Sequence, residues 1–103
     1  MDSQQLLEIL KERVPRGMVT IYGELSFWAY GNHSASQAIV AMLNAAVGES
    51  FSNAQYTNRV VSKKGKIVNV NGQLNQLTRE GVAINIGNVD MQKADIVYCK
   101  ERS

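Results

Sequence analysis

The residue types best equipped for chemistry are scarce in this chain: Cys99 is its one cysteine and His33 its one histidine. One thiol closes no internal disulfide. One thiol and one imidazole cannot fill the ligand set of a structural zinc or iron–sulfur centre. The sequence therefore predicts no metal and no cofactor. A thiol becomes a nucleophile where electropositive neighbours lower its pKa. Nothing in the sequence near Cys99 guarantees that setting, and the residue reads as a small side chain packed in a strand. Positive charge, by contrast, is concentrated. Residues 50–79 carry Arg59, Lys63, Lys64, Lys66 and Arg79 and no acid, whereas the rest of the chain carries six cations and nine acids. Residues 25–48 carry no charge at all. On a protein of net charge +2, such a patch is either a phosphate-contacting surface or a solvated turn.

A single domain must position these side chains, since 103 residues leave no room for a second core. Leu6, Leu7, Leu10 and Val14 recur at helical spacing behind an Asp2/Ser3 cap, and Pro15 ends that helix. Residues 18–21 read as a short extended connector. Residues 22–30 read as a second helix with Leu25, Trp28 and Ala29 inward and Phe27 half inward. Gly31-Asn32 is a turn, Ser34 and Gln37 fit a capping box, and a third helix over 34–46 stops near Gly48. Two helices on a tight glycine-containing turn make a helix-turn-helix candidate. Residues 49–57 read as a polar loop. Residues 59–62 and 67–70 read as the strands of a hairpin with Lys63, Lys64 and Lys66 at its tip. Leu74 to Glu80 is a short helix closed by Gly81. Val82, Ile84 and Ile86 alternate as a half-buried strand does. Short strands are expected at 89–91 and 96–98, and a frayed end beyond. The order helix, helix-turn-helix, basic hairpin describes an α/β domain of the winged helix-turn-helix class, spanning residues 1–103.

No apolar run approaches the ~20 residues that span a bilayer. The N-terminus lacks a basic stretch leading into an apolar one. A soluble protein in reducing, intracellular surroundings is expected.

Four stretches carry a resemblance. Val14-Pro-Arg-Gly-Met-Val-Thr-Ile-Tyr-Gly-Glu-Leu25 resembles the opening of the DNA-binding domain of the O6-alkylguanine-DNA alkyltransferases. Gly31-Asn32, with Gln37 six positions after the glycine, resembles the start of that family's recognition helix. Asn58-Arg-Val-Val-Ser-Lys-Lys-Gly-Lys-Ile67 is similar to the segment leading from its Pro-Cys-His-Arg motif into the wing. Leu77-Thr-Arg-Glu-Gly-Val82 is similar to its closing Leu-x-x-Glu-Gly-Val. The size, the missing N-terminal domain and the ending look most like the alkyltransferase-like proteins, which bind alkylated guanine without an acceptor cysteine and hand the lesion to nucleotide excision repair. The resemblance implies a non-enzymatic, monomeric DNA-binding protein of the cytoplasm, at the nucleoid, or of the nucleus in a eukaryote. Its partners would be double-stranded DNA and nucleotide excision repair proteins, with no membrane.

The departures sharpen that expectation. Tyr56, Thr57 and Asn58 stand where the family has Pro, Cys and His. The family's chemistry needs a thiolate activated through a histidine paired with a glutamate. A threonine hydroxyl is a far weaker acid, and an asparagine is no base. Gln37 stands where the family has its arginine finger, and it either meets an orphaned base or caps Ser34. Ile21 replaces the usual Thr or Ser before Tyr-Gly-Glu, which leaves Glu24 without a capping-box partner. The resemblance implies DNA contacts from Tyr22, Asn32, Ser34, Ser36, Gln37, Arg59, Lys63, Lys64 and Lys66. It implies a lesion pocket floored by Thr57 and Asn58 and walled by Tyr22 and Glu80. Tyr22 is alternatively a half-buried aromatic at a helix start, Arg59 a structural residue, and His33 an exposed turn residue. The runner-up function is a domain that keeps only the fold and serves as a lesion-blind DNA-binding module. It could also be a protein-interaction module using the uncharged face around Phe27, Trp28 and Tyr30.

Overall fold

The computed structural model describes residues 2–68 and 71–98. Asp2 caps helix α1 (Ser3–Arg13): its carboxylate accepts from the Gln5 amide at 2.9 Å while the Gln5 side chain accepts from the Asp2 amide at 3.0 Å. This reciprocal pairing satisfies two of the donors that every helix start leaves open. The helix ends at Val14, one residue before Pro15, which cannot continue it. Strand β1 (Met18–Ile21) feeds directly into α2 (Tyr22–Tyr30), which Gly31 closes in the left-handed conformation, with φ 79°.

The turn into α3 (Ser36–Glu49) differs from the expected capping box. The Asn32 side chain captures Ser34, accepting from its amide at 2.9 Å and from its hydroxyl. Ser34 is thereby spent in a local turn. The helix starts two residues later, behind Ala35, with no side-chain cap, and Gln37 is left exposed on its first turn. The Ser26 hydroxyl, buried in α2, holds this entry: it donates to the Asn32 carbonyl at 2.6 Å and accepts from the Ala35 amide at 2.9 Å.

Residues 49–57 are not the loop expected. A 3-10 turn at Phe51–Asn53 leads into the single-turn helix α4 (Ala54–Thr57), and Asn53 ties it back by donating to the Ala46 carbonyl at 2.9 Å. The expected hairpin also fails to form among the described residues. Strand β2 (Val60–Val61) pairs in parallel with β1, Thr20 opposite Val60. On the other edge, β5 (Asp95–Ile96) pairs in parallel with β1, Met18 opposite Asp95. The sheet order is therefore β2-β1-β5. Asn69 and Val70 of the expected second hairpin strand lie outside the described residues, as does Cys99.

Helix α5 (Gln73–Arg79) matches the expected position within a residue. The expected strand over 82–86 is cut short. Strands β3 (Ile84–Asn85) and β4 (Asn88–Val89) form an antiparallel pair whose turn carries Ile86 at φ 52° and 93% exposed.

The sheet separates two apolar clusters, because successive strand residues face opposite ways. Val60 joins Leu6, Leu10, Val14, Leu25, Ile39 and Leu43 under α1–α3. Val61 and Val19 join Ile67, Leu77, Val82 and Val89 under α5 and the β3–β4 pair. Trp28 packs half-buried on the first cluster. The protein is a mixed α/β domain with five helices and two small sheets among the described residues.

Candidate functional site

The middle of α3, the end of α4 and the start of α5 line a partly open cavity of about 230 Å³. Thr57 and Asn58 line it from one side, Tyr22, Val40, Leu43 and Asn44 from another, and Asn71 and Gln73 close it. That volume is the room of about eight liquid waters at ~30 Å³ each, enough for one planar bicyclic ring. Tyr22 carries a phenol that is neutral at physiological pH and keeps its donor, and burial pushes its pKa further above the usual range. Tyr22 is the only titratable group among the described residues of this lining, and none of them is a base for Thr57. The arrangement offers hydrogen bonds and apolar contact.

The resemblance put Glu80 in the wall of this pocket, and the structure corrects that. Glu80 caps the end of α5, and its carboxylate takes a bidentate pair of hydrogen bonds from Arg59, 3.0 Å from Nε and 2.7 Å from Nη2. Gln76 Nε2 donates to it at 3.0 Å and the Gly17 amide at 3.4 Å, and the Arg16 guanidinium lies 3.9 Å away. Burial alone would push this carboxyl up. The hydrogen bonds from Arg59 and Gln76 and the charge of Arg59 outweigh it and hold the group below the usual glutamate range. The side chains of Arg59 and Glu80 are 11% and 2% exposed. Arg59 is therefore a buried structural cation, which withdraws it from the proposed phosphate contacts.

A second, more open hollow of about 460 Å³ shares Asn58 and Asn71 with the first and continues to Gln55, Asn75, Gln76 and Arg79. A third, of about 590 Å³, lies on the other side of Tyr22, bounded by Gly23, Glu24, His33, Ser36, Ser62 and Lys63. Here His33 stacks on Phe27 with ring centroids 4.9 Å apart, and its Nε2 is 3.5 Å from the Glu24 carboxylate. Lys63, Lys64 and Lys66 are all exposed on a tight turn, which the Gly65 amide closes by donating to the Ser62 carbonyl at 2.8 Å.

Of the residues singled out in the sequence, Tyr22, Thr57 and Asn58 meet at the cavity, while Tyr22, Ser36 and Lys63 meet at the neighbouring hollow. Asn32 and Ser34 are bonded to each other, and Gln37 and Lys64 line neither. Sequence reasoning missed Asn44, Asn71, Gln73 and Gln76. For the last three the signal is the amide-rich run Asn71 to Gln76; Asn44, inside α3, has none. Gln73 is buried there, donating to the carbonyls of Asn58 at 2.9 Å and Val60 at 3.2 Å. No protein-family model matches this sequence, and no curated protein matches it.

Proposed function

We propose that this protein is a non-enzymatic, DNA-binding domain of the alkyltransferase-like kind, with α2 and α3 as its helix-turn-helix. The turn of Lys63, Lys64 and Lys66, backed by the β3–β4 pair, stands in for the wing. In this reading α3 enters the minor groove of double-stranded DNA and an alkylated guanine swings out into the cavity of Thr57, Asn58 and Tyr22. The bound lesion then passes to nucleotide excision repair. Everting a base costs a few kcal/mol, least for one already poorly paired, so selectivity needs no chemistry.

One observation carries the reading. Tyr22 is the common wall of a base-sized cavity and of a surface hollow that contains Lys63 and the first residue of α3. A nucleotide whose base filled the first would have its phosphate near the second. The uncharged face of residues 25–48 gives less support to a protein-interaction module, because Phe27 is stacked on His33 and Trp28 is packed on the core.

The lysines supply the test. Three phosphate contacts give a salt slope near −2.7, or about a 40-fold loss of affinity between 50 and 200 mM salt. Replacing Lys63, Lys64 and Lys66 together by Glu is expected to abolish that dependence. It should also weaken plain and lesion-bearing duplexes alike, since phosphate contacts read no sequence. Unchanged binding by the triple variant would show that the turn is merely solvated.

A further inference from the structure

Asn58 is held by a chain of amides that decides which of its two polar atoms is left over. The chain starts at Glu80, whose carboxylate, ionised beside Arg59, can only accept. The Gln76 atom 3.0 Å from Glu80 Oε2 is also 2.7 Å from the main-chain oxygen of Gln55. Two acceptors require that atom to be the amide nitrogen, so Gln76 Oε1 turns toward Asn58. There it lies 2.9 Å from an Asn58 atom that is also 3.0 Å from the Asn71 carbonyl. That atom is in turn the nitrogen, and both its N–H groups are used. What remains is Asn58 Oδ1, which accepts from no described residue although Asn58 is only 5% exposed. The oxygen is not sealed off: it keeps an accessible face, and Asn58 lines the cavity, so a ligand donor can take the place of water there.

We infer that Asn58 Oδ1 is the acceptor that sets the specificity of the cavity, that Gln76 and Glu80 are its positioning residues, and that the ligand is a nucleobase presenting an amino N–H. The inference rests on the reading that the cavity receives an everted base. Alkylation at O6 of guanine removes the N1 proton and leaves N1 an acceptor, but the exocyclic 2-amino group survives as a donor. O6-methylhypoxanthine carries the same alkyl group with no amino group. It leaves Asn58 Oδ1 facing another acceptor or nothing.

The experiment measures affinity for three duplexes of one sequence, carrying O6-methylguanine, O6-methylhypoxanthine or guanine at the same position. The expected result is binding about tenfold tighter to O6-methylguanine than to O6-methylhypoxanthine, the factor of one well-made hydrogen bond. Gln76→Met removes one of the two acceptors that hold the Asn58 nitrogen and leaves the Asn71 carbonyl, so the carboxamide keeps its sense but is held less firmly. The ratio should then shrink, chiefly because O6-methylguanine loses a firmly oriented acceptor while O6-methylhypoxanthine, which makes no such bond, is little changed. A purely structural role for Gln76 would weaken both lesions equally with the ratio intact, and that outcome overturns the relay. Equal binding of both lesions by the unaltered protein, each above guanine, overturns the inference and leaves the reading of function standing. No preference for either lesion over guanine overturns both. The comparison in the unaltered protein needs no variant to fold.

Discussion

Arg59→Met should cost about 3 kcal/mol of folding stability, at the lower end of what stranding one partner of a buried ion pair costs. Glu80 would keep Gln76 and the Gly17 amide, with the exposed Arg16 3.9 Å away, but would lose both short bonds and a cation that is itself buried. The pair bridges distant parts of the chain. Arg59 Nη1 also reaches the Val14 carbonyl at the end of α1, at 3.4 Å, so its loss loosens the α1–β1 connection from α5. Urea titration at pH 7 measures the effect. Replacing both partners, Arg59→Met with Glu80→Leu, should recover part of the loss, since no buried charge is then left unpaired. The same pair predicts a pH dependence. The folded Glu80 carboxyl is held below its unfolded value, so its contribution is complete above about pH 5 and is lost as pH falls through the folded value. In Arg59→Met, burial is less opposed, and this acid-dependent loss should shrink.

Gly65→Ala is expected to be equally damaging, at about 3 kcal/mol. The residue adopts φ +80°, a region that costs an L-residue about 1–2 kcal/mol. A Cβ there would also stand 2.3 Å from the main-chain oxygen of Val89 and 2.9 Å from Met91 Cγ. Relief requires moving backbone that is itself fixed, because the Val89 amide donates to the Gly65 carbonyl at 2.8 Å; overpacking of this kind adds about 1–3 kcal/mol. Gly31→Ala serves as the comparison. Its φ is +79°, but a Cβ there meets nothing within 4 Å, so it should cost only the conformational term, about 1 kcal/mol. Similar losses at the two sites would contradict the close packing of the lysine turn under β4.

The elements built by local rules were legible. Asp2 and the 3.6-residue spacing of the leucines set α1, and α2 begins and ends at the residues expected. The lysine turn misled because turn composition and flanking β-branched residues look alike in a hairpin and in a parallel crossing. In the sequence the distinguishing sign is only the adjacent pair Val60-Val61; the structure buries both fully, on opposite faces, as in a strand covered on both sides. The Ser/Asn-rich composition of residues 49–57 concealed α4, a single turn that buries Ala54 and Thr57. Ser34 was lost as a cap because a neighbouring Asn32 competed for it. At the site, Tyr22, Thr57 and Asn58 could be found from the resemblance. The amide chain could not be, since Asn58, Gln76 and Glu80 acquire their roles only once α4 and α5 lie side by side. The partnership of Arg59 with Glu80 spans 21 residues and likewise has no local signature.

The central claim is that the cavity beside Tyr22 receives an alkylated base turned out of duplex DNA. Its most direct measurement is the affinity of the unaltered protein for two duplexes of one sequence, differing only in O6-methylguanine against guanine. Since a poorly paired base is easier to extrude, the account predicts at least about tenfold tighter binding to the lesion, about 1.4 kcal/mol. Because phosphate contacts are common to both duplexes, the ratio should be the same at 50 and 200 mM salt. Equal affinity for the two duplexes at both salt concentrations would contradict the account.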